Sequence, residues 1–184
     1  MIIYVDATTL IALGEVGELD LLALLDGDLT IPVPVADEIS AEPARSDLLR
    51  FDTRHNIDPT GIWDERYREA KEAREESQRI LDEDGMSGDV AILAGVVNLG
   101  NEGMDSAVVS DDRRLRTVAE SLGARVTGTI GVVVGAVAEG ELTEQEAKDL
   151  VRRLDSRGLH MTGELREKAD RLIEDAAREN GNEN

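Results

Sequence analysis

The chain predicts an α/β fold, a mainly parallel sheet covered by helices, and three observations carry that reading. Short apolar runs rich in β-branched residues alternate with segments of helical spacing. Of the 184 residues 41% are hydrophobic but only 2% aromatic, so the core is built from Val, Leu, Ile and Ala, which pack well between a sheet and its helices. No internal repeat or long linker divides the chain, and its length suits one domain.

Met1 to Val5 is a short β-branched run and reads as a buried strand, with Asp6 at its junction with a helix that opens at Thr8-Thr9-Leu10. Leu19 to Leu25 predicts a second helix, closed by Gly27, and Leu29 to Val35 a strand crossed by Pro32 and Pro34. Proline removes ladder donors, so that strand should be short or near an edge. Val35 to Ile39 begins a helix that carries Glu38, Pro43 to Phe51 is another, and a minor strand is expected around Ile57.

Asp64 to Asp84 is almost entirely charged at spacings of three and four, which predicts an exposed helical arm. Trp63 beside it reads as a packing anchor. Ser87-Gly88-Asp89 opens a helix that is apolar on nearly every side and therefore belongs inside. Ser106 to Val109 is the next strand and ends in Ser110-Asp111-Asp112, which starts a helix over Arg113 to Leu122. Arg125 to Thr127 is a last short strand, and Ile130 to Val137 a helix whose Gly131 and Gly135 allow close packing. Thr143 with Glu146 forms a capping box, and Thr162 to Ala177 is a final amphipathic helix.

The formal charge is −20, with seventeen Arg against three Lys. Such a charge opposes compaction and repels nucleic acid unless concentrated salt screens it, so the composition reads as adaptation to a salty, halophilic cytoplasm, or else as an acidic protein of an ordinary cell. Zero Cys excludes a disulfide framework, a thiolate metal site and a Cys nucleophile together. No basic segment precedes the first apolar run, and Val126 to Ala138, the longest uncharged apolar stretch, is thirteen residues, too short to span a bilayer. A cytoplasmic location follows, with no membrane partner.

Four acids carry the chemistry. Asp6 and Asp112 each follow a strand, while Glu38 and Asp89 lie near helix starts. Ligands of parallel sheets bind beyond the carboxyl ends of the strands, so all four converge on one crevice if the first and third strands are neighbours. Clustered carboxylates cannot all ionise without a cation, and hard divalent ions prefer oxygen ligands. That set predicts a Mg²⁺ or Mn²⁺ site and metal-assisted hydrolysis. Taken singly, Asp6 and Asp112 could instead be helix caps, and Asp89 could satisfy first-turn donors.

Val5-Asp6-Ala7-Thr8-Thr9-Leu10-Ile11, Val35-Ala36-Asp37-Glu38-Ile39, Gly88-Asp89-Val90-Ala91-Ile92-Leu93-Ala94 and Ser110-Asp111-Asp112-Arg113-Arg114-Leu115 resemble the four acidic motifs of PIN-domain nucleases. Ala119 to Gly123 and Val126 to Val132 are similar to the branch related to VapC-type toxins. The resemblance covers Met1 to Leu142 as a PIN-like domain; residues 143–179 read as a helical extension packed on it and 180–184 as a disordered tail. It implies a three-layer α/β/α sandwich and a Mg²⁺- or Mn²⁺-dependent ribonuclease acting on RNA. It also implies a homodimer and, for a toxin, an antitoxin protein as partner. Position by position, Asp6, Glu38, Asp89 and Asp112 match the metal-binding acids, with Asp111 an alternative to Asp112. Ser110 matches the small hydroxyl residue before the last acid, and Thr8 assists Asp6. Arg113 and Arg114 follow the last acid, where cations meet an RNA backbone, or else form surface salt bridges. The chain departs from many relatives in that Met86-Ser87-Gly88 lacks the Glu often found ahead of the third acid.

Rival chemistries fit less well. His55 and His160 are isolated, which removes a Ser-His-Asp arrangement around Ser110. Aspartyl-phosphate chemistry needs a Lys at the site, and Lys71, Lys148 and Lys168 all fall in helices remote from strand ends. A PIN-like scaffold that binds a partner protein is the non-enzymatic alternative. For the charge, the folded fraction followed by circular dichroism is expected to rise between dilute and molar KCl; equal folding in both removes the halophilic reading.

Overall fold

The computed structural model describes residues 1–55, 57 and 71–183. Among these, β1 (Ile2–Val5), β2 (Asp28–Thr30), β3 (Ser106–Val109) and β4 (Arg125–Thr127) form one parallel sheet in the order β2-β1-β3-β4. Tyr4 stands opposite Thr30 on one side and Val108 on the other, and Val108 opposite Val126. The two central strands are almost wholly buried, which is why they read as continuous apolar runs rather than alternating ones.

The helices are α1 (Ala7–Val16), a 3-10 helix (Leu19–Leu24), α2 (Val33–Glu38), α3 (Ala44–His55), α4 (Lys71–Leu81), α5 (Gly88–Asn101), α6 (Arg113–Ser121), α7 (Thr129–Ala138), α8 (Glu144–Ser156) and α9 (Gly163–Glu183). They divide into two packed groups, one of α1, α3, α7, α8, α9 and the 3-10 helix, the other of α2, α4, α5 and α6. The fold is therefore a three-layer α/β/α sandwich. Chain leaving β1 enters α1 in one layer, and chain leaving β3 enters α6 in the other. That divergence opens a crevice beyond the carboxyl ends of β1 and β3.

α5 is the helix that the sheet is built against. Val90, Ile92, Leu93, Val96 and Leu99 are all buried, and the helix crosses the sheet at Gly95, where an added Cβ would stand 2.4 Å from the Tyr4 ring. Only a residue without a side chain permits that approach.

Several sequence expectations shift. The helix expected over Leu19 to Leu25 is a 3-10 helix, and the strand expected over Leu29 to Val35 ends at Thr30. Pro34 sits in the first turn of α2 instead of in a strand, a position where its missing N–H costs nothing. Trp63, residues 64–70 of the charged arm and most of the segment around Ile57 lie outside the described residues; Ile57 itself is buried. From Lys71 onward the arm is not freely exposed, because Ala73, Ser77 and Leu81 recur every fourth residue and are buried where α4 packs on α5. A Cβ on Gly131 would collide with Thr127 Oγ1, whereas Gly135 faces open space, so only the first of those glycines is needed for packing.

The expected loose tail is a correction too. α9 continues through residues 180–183, and Asn180 Nδ2 donates to the Val137 carbonyl at 3.1 Å. Ala169, Ile173 and Ala176 form the buried stripe of α9, and Lys148 Nζ reaches both Glu144 and Glu174 at 2.7 Å, tying α8 to α9. No helix among the described residues is long and apolar enough to cross a membrane. The Gly95 contact yields a stability test: Gly95→Ala is expected to cost about 1–3 kcal/mol in urea unfolding through overpacking against Tyr4, and an unchanged midpoint would show that the helix can simply shift.

Candidate functional site

Asp6 continues β1 and is held from several sides. Its N–H donates to the Val109 carbonyl at 2.9 Å, which locks the ends of β1 and β3 together. As N-cap of α1 it accepts from Ala7 N at 2.7 Å on Oδ1, while Oδ2 accepts from Thr8 Oγ1 at 2.6 Å and from Ser110 Oγ at 2.7 Å. Asp6 and Ser110 are both buried, so these donors replace the water the carboxylate has lost.

The turn after β3 presents two adjacent acids in different settings. Asp112 N donates to Ser110 Oγ at 3.0 Å, and Asp112 Oδ1 caps α6 by accepting from Leu115 N at 2.7 Å. Asp111 turns to α7: Oδ1 accepts from Thr129 N at 2.9 Å and Oδ2 accepts from the Thr129 hydroxyl. Its own N–H donates to Thr8 Oγ1 at 3.2 Å.

A second group gathers at the start of α5. Glu38 Oε1 accepts from Gly88 N at 2.9 Å, and a Cβ on residue 88 would stand 2.7 Å from that same oxygen, so the glycine admits the carboxylate. Ser87 caps the helix by accepting from Val90 N, and donates to Glu83 Oε2 at 2.6 Å. Asp89 lies in the first turn. Burial, and after it the charges of Asp6, Asp112, Glu83 and Glu38, together push its carboxyl up to about 6.

The structure thus brings Asp6, Glu38 and Asp112 within electrostatic reach of Asp89, with Thr8 and Ser110 hydrogen-bonded directly to Asp6. Arg113 is exposed in the first turn of α6. Arg114 instead donates through Nη2 to the Leu81 carbonyl, tying α6 to the end of α4. Glu83 is an acid that the sequence reading assigned to a solvated arm. Its signal was available: it lies four residues before the capping Ser87, the distance of one helical turn, in the stretch preceding the third acid.

Carboxylate oxygens are the donors here. His55 pairs with Asp20 at 2.8 Å and His160 sits between α8 and α9, so neither competes with them. Such a set suits a hard divalent cation. Among the described residues no group of three or more acids or histidines is arranged to hold a metal ion as it stands. Asp6, Glu38 and Asp112 are each held by N–H or hydroxyl donors, which come from neighbouring elements for Asp6 and Glu38. The Asp89 carboxyl is raised by burial first and by the neighbouring like charges second, and a bound cation would act against both.

A doubly wound parallel sheet with acids ringing the crevice between its central strands defines a nuclease-like α/β/α domain. A family model described as DUF3368, PIN domain, matches residues 2–175, and the chain belongs to that PIN-domain family. PIN domains are generally nucleases and typically use divalent metals. Comparison with curated proteins and with solved structures returns no match.

The Asp89 shift has a stability consequence with a definite sign. A carboxyl whose folded value lies near 6 against 3.8 unfolded imposes no penalty below pH 4, a growing one up to pH 6, and the full one above pH 7. Metal-free Asp89→Asn is therefore expected to be more stable than the parent by about 1–2 kcal/mol at pH 7.5, after allowing for partial solvent screening, and equal to it at pH 4. Chemical denaturation at the two pH values measures this; a variant less stable at pH 7.5 contradicts the crowding of charge.

Proposed function

We propose that the chain is a Mg²⁺- or Mn²⁺-dependent endoribonuclease that hydrolyses RNA phosphodiester bonds, with Asp6, Glu38, Asp89 and Asp112 as its metal-binding acids. One observation carries the reading: the charges of Asp6, Asp112, Glu83 and Glu38 all bear on half-buried Asp89, and a bound cation would offset them. Bound there, a divalent ion supplies a Lewis acid that activates water and stabilises the leaving oxygen.

The chain's own residues do the rest. Thr8 and Ser110 fix the Asp6 carboxylate in one orientation, and Ser110 passes that order on to Asp112 through its N–H. Exposed Arg113 meets the RNA backbone near the crevice, and Arg114, tethered to Leu81, contributes charge from a fixed position. The resemblance to VapC-type toxins supports a place in a toxin–antitoxin pair, with an antitoxin protein as partner, a homodimeric assembly and a cytoplasmic setting. The non-enzymatic scaffold has one observation in its favour, that among the described residues no three acids are arranged to hold a metal as they stand.

Incubation of labelled RNA with saturating Mn²⁺, with and without EDTA, separates the two. Cleavage that EDTA stops, and that falls at least about 100-fold in Asp6→Asn and Asp89→Asn, is the expected result; Asn keeps the Asp6 cap, so the fold should persist. Cleavage surviving EDTA defeats the metal-dependent mechanism. No cleavage at saturating Mn²⁺ favours the scaffold.

A further inference from the structure

We propose that Asp111 and Thr129 are positioning residues that set the metal-binding geometry of Asp6 and Asp112, an inference that rests on the metal site proposed above. Asp111 stands beside a metal-binding acid in the chain, yet both of its oxygens are committed to the first residue of α7. Oδ1 accepts from Thr129 N at 2.9 Å, and Oδ2 from the Thr129 hydroxyl, which is wholly buried. At the positive end of a ten-residue helix, that carboxylate has its charge absorbed by the α7 dipole instead of adding it to the crevice.

Gly128 makes the contact possible. A Cβ there would stand 2.5 Å from Asp111 Oδ1 and 3.2 Å from the Ser110 carbonyl, so the turn after β3 lies flat against bare backbone. That turn is pinned at successive residues: Ser110 N donates to the Thr127 carbonyl at 3.0 Å, the Asp111 carboxylate holds Thr129, and Asp112 Oδ1 holds Leu115 N at 2.7 Å. From the pinned turn two donors reach toward Asp6. Ser110 Oγ bonds its Oδ2 directly, and Asp111 N bonds Thr8 Oγ1, which in turn donates to the same oxygen. Loss of the Asp111–Thr129 contact would free the turn to rotate, moving Ser110, Asp112 and the orientation of Asp6 together. The Thr129 hydroxyl touches none of the reacting groups, so its influence passes through these neighbours.

The test compares the parent with Thr129→Val, Thr129→Ser and Asp111→Ala as full-length proteins. Free Mn²⁺ is read by electron paramagnetic resonance during titration, and folding by circular dichroism without metal. Thr129→Val, which keeps shape and loses the hydroxyl, is expected to bind Mn²⁺ about 10-fold more weakly while staying folded, and Thr129→Ser to recover parental affinity, as orienting partners of metal ligands do. Unchanged affinity in folded Thr129→Val overturns the proposal. So does a pattern in which Asp111→Ala abolishes binding while Thr129→Val leaves it intact, because Asp111 would then be a ligand itself. Should Asp111→Ala unfold, the Val and Ser pair at residue 129 decides alone. A parent protein that binds no Mn²⁺ fails differently, removing the metal site and this inference with it.

Discussion

A buried carboxylate at the end of a parallel strand must find donors, and the way Asp6 finds them organises this molecule. Its oxygens draw on its own helix through Ala7 and Thr8 and on the neighbouring strand's exit through Ser110. The donors come from two elements, α1 and the turn after β3, so satisfying one charge fixes the relation of β1, α1 and that turn. The parallel pairing of β1 with β3 is what brings positions 6 and 110 together although 104 residues separate them. Replacing the pair by apolar residues would remove a desolvation cost, but would also remove the element that fixes where the other acids stand.

The opposite wall of the crevice obeys a different logic. α5 is buried on nearly every side and contributes core packing along its length, while its first turn carries acidity. Helix N-termini tolerate negative charge, which suits Asp89 in the first turn and Glu38 on the Gly88 N–H. Burial and the neighbouring acids together raise the Asp89 carboxyl, so this first turn carries an acid in a setting that disfavours its charge, while the rest of the helix is packed into the core.

How far the sequence revealed this varies with the length scale of the interaction. β1, β3 and α5 were legible because burial on all sides writes an uninterrupted apolar run into the chain. Asp6, Asp89 and Asp112 lie beside such runs, whereas Glu38, read near a helix start, is the last residue of α2; the layered architecture followed from the alternation of elements. The boundary at Pro32 and Pro34 was misread because proline marks a strand's end and a helix's first turn equally well, and only the tertiary position of α2 decides. α4 was read as solvent-facing because the stripe that packs consists of Ala73, Ser77 and Leu81, three modest residues among many charged ones. Asp111 and Asp112 were indistinguishable in the sequence, since Thr129, which holds the Asp111 carboxylate, lies eighteen residues further on. Glu83 escaped for the same reason, its link to the crevice running through Ser87 and the packing of α4 on α5.

The margins of the sheet carry a further implication. Among the described residues the edge strands β2 and β4 are three residues each, and Pro32 follows β2 after Ile31. Unpaired main-chain groups along such short borders offer little template for another strand, which protects a compact acidic molecule from amyloid-like stacking. Any association between copies of this chain is thereby steered away from sheet continuation and onto its helical surfaces.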